Sequence, residues 1–332
     1  MKSTLRHIIQ LLTLAVLLLI ASKPAAEEPE STEETLSRYQ GTIARQLFDL
    51  TDSIDNFLGD VRSLEQRRDD WFRLGMQSTL ESAESPELRA RFRAAIALPP
   101  INKDLRIYLD GGRTGTFEDS GFTDESGIVR DQFGSRAADA GAASLNFTRR
   151  GYRGLEFSLA GGVRFQSGLN PIGQLRVSRW FDVSEVLSIE PSQFLIWDRL
   201  DGAREKTRLD LNRMLGPSTL LRLRTEGAYG EETSGYELLQ ELSAYHRVSE
   251  QVITGFTGRF TAQADPGWQI EQTQLAWKVR SRFLTDWLYF EIEPGLKFPR
   301  DRDYRRTPYV TFGFEMYLDR QAAARSRRAL AR

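Results

Sequence analysis

Residues 309–318 read Tyr-Val-Thr-Phe-Gly-Phe-Glu-Met-Tyr-Leu, and this stretch decides the fold. Val310, Phe312, Phe314, Met316 and Leu318 fall on one side of an extended chain, and Tyr309, Thr311, Gly313, Glu315 and Tyr317 on the other. Successive side chains of a strand point to opposite faces, so the segment separates an apolar medium from a more polar one. A soluble domain would turn the apolar face into a core. A membrane wall turns the same pattern inside out, with lipid outside and a polar interior.

The same period of two runs through the chain from Lys103 onward. Leu155, Phe157, Leu159, Val163 and Phe165 oppose Glu156, Ser158 and Arg164, and Leu275, Trp277, Val279 and Phe283 oppose Gln274, Lys278, Arg280 and Arg282. Turn-forming clusters divide this region into strands near 103–111, 140–149, 154–166, 173–182, 187–198, 204–214, 219–229, 236–247, 252–263, 270–283, 286–298 and 307–318. Each is close to the ~9–11 residues that a tilted strand needs to cross hydrocarbon. The sequence therefore predicts a single-chain antiparallel transmembrane β-barrel of about twelve strands over residues 103–318. The strand at 187–198 is the least regular, because Pro191 and the run Phe194 to Trp197 obscure its faces.

Ser85 to Leu98 also alternates, with Leu88, Ala90, Phe92, Ala94 and Ile96 opposite Arg89, Arg91 and Arg93. Counting it would give thirteen strands, whereas bacterial single-chain barrels have even numbers. Its Ala, Arg, Leu and Glu are good helix formers and it ends at Pro99-Pro100. It is therefore expected to be a helix or a short periplasmic strand.

Residues 1–26 have the order of a secretory signal peptide: Lys2 and Arg6, an apolar run from Ile8 to Ile20, then small residues. Residues 27–102 are expected to be a helical periplasmic or plug segment. Within them Ile43, Leu47, Leu50, Ile54, Phe57, Val61 and Leu64 recur at spacings of four and three, which makes an amphipathic helix in need of a partner. Three partners are open: the stretch around Trp71, Phe72 and Leu74, read as helical; the barrel lumen; or another chain. A basic tail occupies 319–332.

Thr311, Gly313, Met316 and Leu318 resemble the polar-x-Gly-x-x-apolar-x-apolar motif of the terminal strand in Gram-negative outer-membrane β-barrel proteins. In that family the motif usually ends the chain, and here the basic tail follows it. The resemblance implies an outer-membrane location, contact with membrane lipid, and recognition by the barrel-assembly machinery through those four residues. With both chain ends in the periplasm, 112–139 becomes the longest outer loop, and the short connections 150–153, 215–218, 248–251 and 284–285 face the periplasm.

Function would then reside on the inner face. A formal charge of −1 speaks against a nucleic-acid partner, and the absence of cysteine excludes disulfides and thiolate metal sites. No cofactor, metal or nucleotide motif is present. The alternation points Arg208, Arg222, Arg224, Glu226, Lys278, Arg280, Arg282, Glu291 and Glu293 inward as pore-lining candidates. They imply either a narrow pore for small anionic solutes or a filled structural barrel. A lipid-modifying outer-membrane enzyme is the rival class, but His246 is the one histidine after the signal, and Ser249, three residues on, falls on the opposite strand face. A soluble periplasmic all-β binding protein is the remaining alternative.

Overall fold

The structure is a computed structural model. It describes residues 70–319 apart from 83–85, 99–103, 113–140, 151–153, 166–167, 200–201, 232–234, 265–266, 284 and 286. The signal peptide, the Ile43 to Leu64 stripe, most of the longest loop and nearly all of the basic tail lie outside the described residues.

The described chain is almost entirely strand: β1 (Trp71–Glu81), β2 (Glu87–Ala97), β3 (Leu105–Gly112), β4 (Gly141–Arg150), β5 (Leu155–Phe165), β6 (Leu169–Arg179), β7 (Phe181–Ser184), β8 (Leu187–Asp198), β9 (Gly202–Met214), β10 (Thr219–Gly230), β11 (Tyr236–Ser249), β12 (Val252–Ala264), β13 (Trp268–Arg282), β14 (Leu288–Pro299) and β15 (Thr307–Asp319). Apart from β6 and β7, each pairs antiparallel with its sequence neighbours; β1 pairs with β15, and β6 pairs with β8, so the sheet closes. The four-residue β7 continues β6 past Trp180 along β8. The barrel thus has fourteen strands, with β7 as a short extra piece.

This corrects the expectation of twelve strands beginning at 103. The two additional strands are β1 and β2, in the segment read as helical. Their ladders explain why helix propensity lost: Trp71 to Glu81 pairs with β15 on one side, and Trp71 to Thr79 with β2 on the other. A strand hydrogen-bonded on both edges gains more than the few tenths of a kcal/mol per residue by which Ala, Leu, Arg and Glu favour a helix. The even-number rule holds, met by adding two strands rather than discarding one. With strands about 4.8 Å apart and tilted about 40°, fourteen close a backbone circle of about 14 Å radius, where twelve would close one of about 12 Å.

Side-chain burial shows which face is which. On the outer face Phe256 is 63% exposed, Leu159 52% and Leu242 51%, while the inward Asp210 and Asn212 are fully buried. Phe256 and Trp277 stack on the outside at 5.9 Å. The run at Phe194 to Trp197 resolves cleanly, with Leu195 and Trp197 outward and Phe194 and Ile196 inward. Gly255 and Gly295 let rings lie flat on the inner wall. A Cβ on Gly255 would stand 2.5 Å from the ring of Tyr245, its cross-strand partner, and Tyr309 covers Gly295 in the same way.

Candidate functional site: the inner wall

The inner wall carries two sectors of different character. In the first, formed by β8 to β12, the register sets acid beside base. Arg224 lies opposite both Asp210 and Glu241, and Arg208 opposite Glu226. Asp210 takes Arg224 Nε at 2.8 Å and Arg208 Nε at 3.2 Å, Arg222 Nε donates to Asn212 Oδ1 at 2.7 Å, and Lys206 Nζ stands 3.6 Å from Glu226. Arg259 Nε donates to Glu241 at 2.7 Å, and Arg204 pairs with Glu237. Phe194, fully buried among these charges, has Lys206, Arg208 and Arg176 within 4.7, 5.4 and 5.6 Å of its ring. Such stacked cations favour a ring face because its quadrupole is negative there. Thus Arg208, Arg222, Arg224 and Glu226 all face inward, buried, each held by a named neighbour.

The second sector runs from β13 through β14, β15 and β1 to β3. Lys278 bridges Glu291 and Glu293 at 3.3 and 3.2 Å. Arg280 reaches Glu291 at 3.2 Å and Glu315 at 2.7 Å, and Glu315 also takes Arg73. Arg282, half-buried, ends β13 opposite Tyr289. Arg93 holds Asp110 at 3.2 Å. Between these groups is a cavity of about 70 Å³ whose lining includes Arg73, Arg89, Arg91, Arg93 and Arg280, facing only Glu291 and Glu315 as carboxylates. Five guanidinium groups around two carboxylates give this sector a positive surplus that the first sector lacks.

Sequence reasoning found Arg280, Glu291 and Glu293 but did not include Arg73, Arg89, Arg91 and Arg93 among the lining residues. The signal was present, since Arg89, Arg91 and Arg93 alternate with apolar residues at period two. It was set aside with the strand that carries it.

His246, the one histidine weighed against the enzyme reading, is exposed on the outer face, with its Nδ1 2.9 Å from Thr219 Oγ1. Ser249 Oγ instead accepts from the Gln251 amide at 3.2 Å, so Ser249 and His246 are not brought together. Among the described residues no cluster of three or more His, Asp or Glu side chains is placed to hold a metal ion.

A closed, even-stranded sheet with an apolar outer face and a charged inner one is a transmembrane β-barrel, the architecture of outer-membrane proteins. No family model matches the chain, and no curated protein matches it. Among solved structures it is similar to a loop-deletion form of OmpT, an outer-membrane protein of Vibrio cholerae, at 13% identity and a TM-score of 0.49, covering 75% of this chain and 98% of that one. It is similar also to the CymD monoaromatic hydrocarbon channel, at 7% identity and a TM-score of 0.48 over 80% and 92% of the two chains. The KdgM porin, solved with disordered oligogalacturonate, matches at 10% identity and a TM-score of 0.36 over 74% and 98%.

Proposed function

We propose that this chain forms a narrow pore with weak anion preference in the outer membrane of a Gram-negative bacterium, with the rim that carries both strand termini facing the periplasm. The observation that carries the reading is the guanidinium surplus around the β1, β2 and β13 cavity. Fixed positive charge in a narrow, partly dehydrated path acts through a low effective dielectric and is screened less than surface charge. Arg208, Arg222 and Arg224 contribute less, because neighbouring acids and Asn212 hold them.

Topology supports this placement of the termini. β1 starts and β15 ends at one rim, where the connections 215–218 and 250–251 are short, while 113–140 joins β3 to β4 at the other. This is the usual asymmetry of short periplasmic turns and long outer loops. Thr311, Gly313, Met316 and Leu318 lie on the closing strand, which fits a role for them in recognition by the assembly machinery.

The test is planar-bilayer conductance under a salt gradient, with the full chain and with a form lacking residues 27–69. The reversal potential is expected to show anion preference that declines at high salt, as the Debye length falls to about 3 Å at 1 M. Silence from both forms would overturn the pore and leave the filled barrel, the reading that the ion-paired β8 to β12 wall favours.

A further inference from the structure

Charge in the second sector does not close on itself. Arg73, Lys278 and Arg280 form a chain with Glu291, Glu293 and Glu315, three cations against three carboxylates, and Arg93 is matched by Asp110. Arg89 and Arg91 add two further positive charges to the lining of the cavity. Their places in the ladders supply no acid to offset them. Arg91 lies opposite Gly75 on β1 and Gly112 on β3, and Arg89 lies opposite Gln77 on β1. Both belong to the run Arg89, Arg91 and Arg93, spaced about 7 Å apart on the inner face of β2. Arg73 stands directly across from Arg93, where like charges destabilise a sheet.

The space beside this run exists because its floor is glycine. Gly75 and Gly313 line the cavity from β1 and β15, and a Cβ on Gly75 would meet nothing nearer than the Phe314 carbonyl oxygen at 3.9 Å. Guanidinium groups border it from three strands: β1 with Arg73, β2 with Arg89, Arg91 and Arg93, and β13 with Arg280. Its volume of about 70 Å³ holds about five to seven water-sized atoms at about 10–15 Å³ each.

We infer that this cavity binds one small tetrahedral dianion of the phosphate class, seated over Gly75 among the arginines of β1 and β2. The site rests on the guanidinium surplus behind the pore reading, and its ligand supplies the two charges that neutralise that surplus. A tetrahedral oxyanion has five heavy atoms, which suits the volume. It also presents acceptor oxygens in several directions at once, as donors arriving from three strands require. Each guanidinium fork can take two of those oxygens. Because passage through a site needs release as well as entry, an ion that fits this well would slow the flow of chloride past it.

Calorimetric titration of the full-length folded protein with inorganic phosphate, at constant ionic strength and about pH 8, where the second phosphate proton is lost, tests the site. One ion is expected to bind per chain, and nitrate, planar and monovalent, is expected not to bind measurably. Arg89→Gln with Arg91→Gln is expected to weaken phosphate binding by about a hundredfold or more, since each charge-assisted hydrogen bond lost costs about ten- to a hundredfold in affinity. Gly75→Val keeps every charge but fills the floor, and it is expected to lose phosphate as well. Arg213→Gln with Arg305→Gln removes the same charge from two exposed positions and should bind as the parent does. Heat-modifiable migration on a gel verifies that each variant is folded. Glycerol phosphate separates the two sources of such a group: weaker binding than inorganic phosphate identifies the free ion, the result that the volume favours, and equal binding identifies a phosphoryl group carried on a larger solute. Absence of phosphate binding by the parent, nitrate bound as tightly as phosphate, or undiminished binding in the double arginine variant or in Gly75→Val would overturn the site. In the bilayer, phosphate is expected to reduce chloride current through the parent. Phosphate binding by a protein silent in the bilayer would sustain the site and defeat the pore, and an anion-selective current without phosphate binding would do the reverse.

Discussion

The wall made by β8 to β12 and the wall made by β13 through β3 are built from the same residue types, yet they hold charge differently. In the first, a two-residue stagger places Asp210 between Arg208 and Arg224, and Glu241 beside Arg259, so charge is consumed locally. In the second, the glycines Gly75 and Gly313 stand where carboxylates could have stood, and arginines gather around a cavity. Charge totals therefore say little about a lumen; cross-strand register decides whether a guanidinium is a structural tie or part of a field.

The contrast can be broken most severely in the first wall. Asp210→Ala leaves Arg208 and Arg224 buried beside a vacant position, and losing one partner of a buried pair costs about 3–5 kcal/mol. The urea midpoint for loss of heat-modifiable migration should fall sharply. A denaturation midpoint unchanged from the parent would show that water already serves these arginines and that the first wall is not locked.

Next in size is a lipid-side reference. Leu242→Arg places charge at mid-strand on the outer face, with an expected cost of about 2–4 kcal/mol. Folding yield in liposomes measures it. If the variant folds as well as the parent, the outer face has been misassigned, and both walls with it.

The second wall should respond oppositely. Arg89→Gln with Arg91→Gln is expected to change stability by less than about 1 kcal/mol, as for partly exposed charge, while moving the reversal potential of the form lacking 27–69 toward cations. Instability without any selectivity change would exchange the roles of the two walls. The smallest effect is expected for Arg222→Gln, whose partner Asn212 is neutral and can still hydrogen-bond the new amide. Reversal potential and urea midpoint should both stay near the parent, and a large selectivity shift would place the controlling charge in the first wall after all.

Much of the fold was legible because lipid and lumen impose a period of two that no other environment maintains for so long. Leu155 to Phe165 and Leu275 to Arg282 show it without ambiguity. β1 and β2 were lost for two reasons. Leu88 to Ala97 is composed of residues that favour helices in isolation, and a sequence does not display the ladder that overrides them. Six residues separate Trp71 to Glu81 from a 3.5-residue stripe that ends at Leu64, and the change of period is carried by only Phe72, Leu74, Met76 and Leu80. The inner-wall residues were legible as inward. Their pairing was not, because whether Arg224 meets Asp210 or stands alone depends on a register fixed by the turn between Met214 and Thr219.

The seam between β1 and β15 also sets a timetable. Hairpins join every other pair of neighbouring strands, but the seam brings Trp71 opposite Asp319, so its loop spans nearly the whole barrel. Closing it costs on the order of 4 kcal/mol more in chain entropy than closing a hairpin. Until the last strand arrives, the growing sheet keeps two bare edges, each a template for pairing with a stranger. The step that makes the product safe thus waits for the last strand of the barrel, and a chain truncated before Thr307 would be a sheet in search of a neighbour.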